Sequence, residues 1–317
     1  MKAYTIRRLF LIIPTLFILA TMVFLSVRFV PGDAIDSMEA KYETYTGHDR
    51  EQLERQLGLD VPILEQYIGW LGDMIFRGTL GQSLFGRWTV EEKIFARLPV
   101  TIELGLLSVI LSLLIALPVG VFSAIRQDTP ADYAGRTLAV VGMATPNFWL
   151  ALMVVIYPAI WWSWSPPTQV IPFTEDPLGN LGVFIIPSLI LGTAMSADTM
   201  RMTRTMMLEV LRQDYIRTAW SKGLRERVVV TRHALKNAFI PVVTLVGMRM
   251  PILVGGSVII ENIFALPGLG RLFLVALQDR DYPVVSGVNL FFALWVVLFN
   301  LIVDLIYPYL DPRVRYN

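Results

Sequence analysis

Long apolar runs are the feature that most constrains the fold of this chain. A helix that crosses a bilayer needs about 20 mainly apolar residues, because the hydrocarbon core is roughly 30 Å thick and a helix rises about 1.5 Å per residue. Several runs approach or exceed that length. The sequence therefore predicts an all-α integral membrane protein with six transmembrane helices, at roughly 9–27, 100–125, 138–162, 181–204, 238–260 and 284–307.

The composition supports this assignment and leaves no separate soluble part. Hydrophobic residues make up 55% of the chain and charged residues only 17%, whereas soluble domains are about 25% charged. We therefore expect one transmembrane domain over 1–317. The first run follows three basic residues, as a signal peptide would, but it is longer than a usual signal core and no small-x-small site follows. We expect a retained helix.

The distribution of Lys and Arg predicts the orientation. Residues 201–237 hold nine Lys/Arg against three acids, whereas 163–180 hold Glu175 and Asp176 and no Lys or Arg. Cytoplasmic loops are enriched in Lys and Arg. The pattern predicts a cytoplasmic loop at 205–237, both termini in the cytoplasm and an extracytoplasmic helical insertion at 31–99.

The insertion has a helical pattern of its own. In "REQLERQLGLDVPILEQYIGWLGDMIF" the apolar residues recur at helical spacing, and Gly58 and Pro62 divide the pattern into two helices. Two interpretations remain open. The pair either caps the outer mouth of the protein or lies on the membrane surface as an amphipathic hairpin.

Motifs of catalysis and cofactor binding are missing from the sequence. The only histidines, His48 and His233, fall on opposite sides of the predicted membrane, and there are no cysteines and no G-x-x-x-x-G-K-[ST] loop. We expect no enzymatic activity, no metal site and no cofactor in this chain. The net charge of +1 gives no indication of a nucleic-acid partner. Uphill transport would need an ion gradient or another subunit.

One basic segment, "DYIRTAWSKGLRERVVVTRHALKN" at 214–237, stands out between the apolar runs. Its first part predicts a short helix ended by Gly223, with exposed aromatic residues beside cations. Its second part predicts an amphipathic helix with one apolar stripe. Exposed aromatics beside cations are typical of a protein-docking element. A basic helix lying on anionic lipid headgroups is the alternative. The stripe residues are Leu224, Val228, Thr231, Leu235 and Phe239.

The wording of several segments resembles the membrane permeases of ABC importers, in the dipeptide/oligopeptide (nickel) branch. The resembling segments are "RRLFLIIPTLFILATMVFLSVRFVPGD", "DYIRTA", "HALKNAFIPVV", "ENIFALPGLGRL", "RDYPVV" and "DPRVRY". The chain resembles the first of the two permease subunits. The general loop pattern of ABC importers, E-A-A-x3-G, is matched only in part, because Arg217 stands for Glu and Thr218 for Ala.

The resemblance implies a type I ABC importer fold in a prokaryotic cytoplasmic (inner) membrane. It implies uptake of peptides or similar small solutes, driven by ATP and Mg in partner subunits. The implied partners are a second homologous permease, two cytoplasmic ABC ATPases, an extracytoplasmic solute-binding protein and membrane lipid.

The resemblance also implies that the short helix of the basic segment is a coupling helix that sits in a groove of an ATPase. Tyr215, Ile216 and Trp220 would then supply apolar anchorage. Arg217 and Lys222 would pair electrostatically, and Gly223 would make the exit turn. The implied coupling residues are Gln213, Asp214, Tyr215, Ile216, Arg217, Thr218, Ala219, Trp220, Ser221, Lys222 and Gly223.

Three polar residues inside the runs are candidates for the translocation path. Arg249 lies near the middle of 238–260, where a charge costs about 2.5–3.5 kcal/mol on insertion scales. Our hypothesis is that it lines the path and favours an anionic group, such as a peptide carboxylate. Pairing with a carboxylate of the second permease, or snorkelling, are the alternatives. Asn147 and Asn289 are weaker candidates, since both can instead bond across helices.

A rival function is a self-sufficient secondary transporter or channel. Such a protein would favour intramembrane carboxylates or broken helices repeated between two halves, and we find no internal repeat. The sequence does not identify the substrate. Dipeptides, oligopeptides, glutathione, nickel chelates and oligosaccharides all suit systems of this appearance, and the two ATPases could be identical or different.

Overall fold

The computed structural model describes the backbone of 2–28 and 60–310, with side chains in 10–26, 60–251 and 253–303. Within these ranges the helices are joined by turns and loops, and the strand-like pairing is an isolated bridge between Gln82 and Thr89. A π-helical turn, Asp73–Arg77, follows α2, and a π-helical segment, Val229–Ala234, joins α8 to α9. The helices are α1 (Lys2–Arg28), α2 (Ile63–Gly72), α3 (Val90–Ile125), α4 (Pro130–Ala144), α5 (Asn147–Trp162), α6 (Pro177–Leu211), α7 (Asp214–Ser221), α8 (Glu226–Val228), α9 (Leu235–Ile263), α10 (Leu269–Asp279) and α11 (Tyr282–Leu310).

Among the described residues, three helices are each long and apolar enough to cross a membrane: α3, α6 and Tyr282–Val303 of α11. Two further pairs of helices are bent, and the number of candidate spans rises to five if each pair is counted as one span. A shorter apolar stretch, Phe10–Ser26, lies in α1. The apolar runs thus form helices, and the total of six spans stays a prediction.

Two runs that we predicted as single spans are bent. The run 138–162 forms two helices that meet at 91°, with Thr145 in an extended conformation before Pro146. Proline disfavours helical geometry in the residue before it, which explains the break. The run 238–260 bends by 56° after Pro251, whose ring removes a helical hydrogen bond.

Capping residues set where the long helices begin. Before α3, Thr89 Oγ1 accepts from the amide of Glu92, and the Glu92 carboxylate accepts from the amide of Thr89, which is a capping box. Before α6, the Asp176 carboxylate accepts from the amides of Leu178 and Gly179, and Pro177 occupies the first helical position.

The described residues form two compact units. The first unit comprises 102–266 with 298–310, and it is built around α6, which packs against α4, α5 and α9. Close packing of α3 against α6 depends on glycines. A Cβ at Gly192 would lie 2.8 Å from the carbonyl oxygen of Ser108, and one at Gly120 would lie 2.8 Å from that of Met200. Small residues allow such approach between membrane helices.

The second unit comprises 2–28, 60–101 and 267–297. The hydroxyls of Thr21 in α1 and Tyr67 in α2 are hydrogen-bonded at 2.7 Å, and Phe24 stacks edge-on against Tyr67. Of the two predicted helices in the insertion, the second is α2, and the first lies outside the described residues. The core of the unit is apolar and consists of Val90, Ile94, Leu269, Ala276, Val284, Val285 and Val288.

Candidate functional site

The basic segment contains the predicted short helix and its glycine turn. Gln213 is extended and precedes α7, and Asp214 lies in the first turn, where a carboxylate complements the helix dipole. Lys222 follows the helix, and Gly223 has a φ of +75°, a left-handed conformation that a side chain would strain. The local sequence thus determines both ends of this helix.

The two faces of α7 differ in burial. Ile216 is 0% exposed and Ala219 is 6% exposed, and both belong to a cluster with Met207 of α6. Tyr215 is 44% exposed and Trp220 is 43% exposed. The expectation that Ile216 anchors a partner is therefore corrected, because its side chain is buried within its own chain. Tyr215 and Trp220 remain available on the surface.

Polar residues of α7 stay on its exposed side. Arg217 Nη1 lies 3.3 Å from the Asp214 carboxylate, and both side chains are largely exposed. Thr218 and Ser221 donate hydrogen bonds to carbonyls within the helix, at 3.0 Å each. An exposed pair of this kind contributes little to stability, so these side chains are free to interact elsewhere.

A hydrogen bond joins α7 to the start of α9. Asn237 Nδ2 donates to the Tyr215 hydroxyl at 2.8 Å. The predicted apolar stripe, which included Leu224 and Val228, is not the buried face: both are partly exposed. The buried positions in this segment are Val229, Val230, Ala234 and Ala238.

A cleft of about 560 Å³ lies among α4, α6 and α9 of the first unit. Arg249 of α9 donates from Nη2 to Asp198 Oδ2 of α6 at 2.6 Å. Arg201 Nη2 lies 3.5 Å from the other Asp198 oxygen. The predicted path residue thus pairs with a carboxylate of its own chain, an alternative that the sequence did not suggest. The lining residues are Arg136, Val140, Asp198, Arg201, Met202, Arg204, Thr205, Leu245 and Arg249.

A second ion pair borders this cleft. Arg204 of α6 donates two hydrogen bonds of 2.8 Å to Asp132 of α4, whose side chain is fully buried. Asp132 also accepts from the Ser123 hydroxyl and from the amide of Asp128. Every oxygen of this carboxylate is therefore satisfied, as a buried charge requires. Sequence reasoning missed the pair, because its members lie 72 positions apart.

The other predicted path residues lie in different surroundings. Asn147, at the start of α5, accepts a hydrogen bond from the Thr193 hydroxyl of α6 at 3.4 Å. This contact is the cross-helix bond named above as its alternative role. Asn289 is half-buried on α11 and belongs to the second unit. In the described ranges, no three His, Asp or Glu side chains gather as a metal site would need.

The second unit contains a polar cluster that sequence reasoning also missed. The Asp281 carboxylate accepts from the Ser83 hydroxyl and from the amide of Leu84, and Lys93 Nζ lies 3.7 Å away. Asp281 is nearly buried. These contacts join the loop before α3 to the start of α11, so the cluster supports the shape of this unit.

Comparison with known proteins identifies the class of protein. Residues 116–316 match the family described as binding-protein-dependent transport system inner membrane component, and residues 1–105 match its N-terminal membrane component. With its apolar helices, the chain is therefore a multi-pass inner-membrane permease subunit of an ABC importer. It belongs to the family of binding-protein-dependent transport system inner membrane components.

Several relatives match the chain from end to end, among them two peptide permeases. The oligopeptide transport system permease protein AppB of Bacillus subtilis (strain 168) is 40% identical over 319 residues, with 100% of both chains covered. The dipeptide transport system permease protein DppB of Escherichia coli (strain K12) is 37% identical over 340 residues, again with both chains covered completely.

A solved structure shows a similar fold. A crystal structure of an amino acid ABC transporter with histidines contains a chain that superimposes with a TM-score of 0.55 at 14% identity. The match covers 69% of this chain and 94% of that one. At this identity the likeness concerns the fold alone.

Proposed function

We propose that this permease imports peptides, as one of two homologous membrane subunits driven by two cytoplasmic ATPases. A solute-binding protein delivers the peptide on the outer side, and ATP and Mg are bound by the ATPases. The proposal is supported by the full-length similarity to the permeases AppB and DppB, whose names specify oligopeptide and dipeptide transport.

The proposed topology has six spans in a type I importer fold, with both termini in the cytoplasm. The helix α1 supplies the first span, and each bent pair supplies one. The exposed Trp161 and Trp162 at the end of α5 support an outer interface there, since Trp is enriched at membrane–water boundaries. The exposed cations of the 205–237 loop support its cytoplasmic placement.

The helix α7, with its flanking residues Gln213 to Gly223, is the proposed coupling element. The observation that carries this proposal is its division into a buried and an exposed face. Tyr215, Trp220, Arg217 and Lys222 contact the ATPase groove. Ile216 shares a buried cluster with Met207 of α6 and with the π-helical segment Val229–Ala234. Movement of α7 would reach α6 through this cluster, and it would reach α9 through the Tyr215–Asn237 hydrogen bond. ATP binding then shifts the population between inward-facing and outward-facing states.

The proposal is tested by isolating the tagged chain from its own host in mild detergent and identifying bound proteins by mass spectrometry. We expect a second permease and ATPase subunits, with the ATPases lost in a Tyr215→Ala/Trp220→Ala variant. A matched control is Tyr157→Ala/Trp161→Ala, which removes another exposed aromatic pair, stacked at 4.8 Å.

Two rival functions predict different results. A secondary transporter or channel would purify alone and transport in liposomes without ATP. A lipid-bound α7 would keep the ATPases in the double variant and lose affinity for anionic vesicles instead. Either result would contradict the proposed coupling.

A further inference from the structure

The arginine-lined cleft of the first unit has more positive than negative charge. Arg204 is neutralised by the buried Asp132. The single carboxylate of Asp198 is shared between Arg201 and Arg249. Arg136 lies over the ring of Tyr133, with its guanidinium carbon 5.5 Å from the ring centroid. Asp128 also acts on Arg204 by its charge. With Asp128 included, an excess of one positive charge remains among these side chains, and an anion from outside would balance it.

The guanidinium of Arg249 has unused binding capacity. It is 43% exposed, whereas the Asp198 side chain is 16% exposed. Arg has five N–H donors in a planar fork that matches a carboxylate. One short hydrogen bond to Asp198, of 2.6 Å, uses a single terminal nitrogen of that fork. Arg249 therefore has room for a second carboxylate beside Asp198 or in its place.

We propose that the cleft binds the terminal carboxylate of the transported peptide, and that Asp198 is an internal carboxylate that holds Arg249 when no peptide is present. The peptide displaces Asp198 from Arg249, and Asp198 keeps Arg201 as its partner. This inference rests on the proposed peptide import. It assigns the solute contact to Arg249, the role of internal competitor to Asp198, and the role of holding the displaced Asp198 to Arg201.

The volume and the walls of the cleft suit a small solute. Its volume, about 560 Å³, is in the range of small-molecule sites. Val140, Met202 and Leu245 add apolar wall beside the charges.

The test compares the uptake of a peptide with that of its C-terminal amide, in cells that contain the complete transporter. The carboxylate-to-amide ratio cancels the contribution of the binding protein, which is the same in all variants. Arg249→Gln should lower this ratio about tenfold, the effect of losing one charge-assisted hydrogen bond. Asp198→Asn should raise the ratio, because the internal competitor loses its charge. Arg249→Lys should give an intermediate ratio.

Arg77→Gln is the matched control, since it removes an arginine paired with an aspartate at 2.8 Å in the second unit. Its ratio should equal that of the unmodified protein. Each variant is also compared for its amount in the membrane and its co-purified ATPase. If Arg249→Gln does not accumulate in the membrane, the uptake ratios of Arg249→Lys and Asp198→Asn are used to test the inference.

The outcomes separate this inference from the proposed function. If the unmodified transporter imports neither peptide nor amide, peptide import itself is wrong. If both are imported and the ratio is the same in the Arg249 and Asp198 variants, the carboxylate site alone is overturned. Native mass spectrometry of the purified protein tests whether the cleft binds a lipid instead. If Arg249→Gln loses bound anionic phospholipid and its carboxylate-to-amide uptake ratio is unchanged, the cleft is a lipid site and the inference is overturned.

Discussion

At the scale of single residues, the buried carboxylate of Asp132 shows how a charge is kept inside an apolar protein. It accepts two hydrogen bonds from Arg204, one from Ser123 and one from the backbone of Asp128. Transfer of such a charge out of water is costly, and the partners offset that cost only as a complete set. Removal of one partner therefore leaves an uncompensated charge between α4 and α6.

We expect Arg204→Met to lower the free energy of unfolding by about 3–5 kcal/mol. The double variant Asp132→Asn/Arg204→Met should recover much of this loss, because no charge is then left unpaired. Denaturant titration of the detergent-purified protein measures both. Arg77→Met is the control, since its pair with Asp73 is exposed and should contribute only about 0–1 kcal/mol. Equal losses for the single and double variants would contradict this account of the pair.

At the scale of elements, α7 has one buried face and one exposed face. The buried face, with Ile216 and Ala219, attaches the helix to α6 and to the segment before α9. The exposed face carries Tyr215 and Trp220, of which Tyr215 accepts a hydrogen bond from Asn237. Stability and partner binding should therefore respond to different substitutions in the same eight-residue helix.

Ile216→Ala should destabilise the protein by about 2–5 kcal/mol, the usual cost of truncating a buried aliphatic side chain. Trp220→Ala should leave stability nearly unchanged and reduce the ATPase recovered with the tagged chain. Thermal unfolding and quantitative co-purification, measured on both variants, distinguish the two effects. If the Ile216→Ala protein were as stable as the unmodified protein and lost its ATPase, the docking contact would lie on the Ile216 face. That result would contradict the division proposed here.

At the scale of the whole molecule, the absence of cysteines makes the proposed topology directly testable. Glu175 and Lys222 are both exposed, and the proposal puts them on opposite sides of the membrane. Single cysteines at these positions need no background substitutions, since the unmodified chain has no thiol to react.

In spheroplasts, a membrane-impermeant maleimide should label Glu175→Cys and leave Lys222→Cys unlabelled. A charged reagent does not cross the hydrocarbon core, so Lys222→Cys should react only after permeabilisation. The unmodified protein controls for non-specific reaction. Labelling of both positions in intact spheroplasts, or of Lys222→Cys alone, would contradict the six-span topology.

The parts of the fold that could be predicted from the sequence depend on local causes. A run of apolar residues forms a helix in lipid because its backbone groups have no other partners. Gly223 ends α7 because glycine adopts positive φ without strain. The bends in the helices could not be predicted as well from the sequence. Pro146 and Pro251 disfavour a straight helix by their local chemistry, but the bend angles depend on how the neighbouring helices pack.

The sequence by itself thus determined the class of protein, the long helices and the position of the short helix α7, and it singled out Arg249 as a charge inside an apolar run. Only the tertiary structure decided which face of α7 is buried and which carboxylates pair with Arg204 and Arg249. The physical reason is separation along the chain. Asp132 is 72 positions from Arg204, and Asp198 is 51 positions from Arg249. Such partners meet only because α4 and α9 both pack against α6, and that packing is absent from any local pattern.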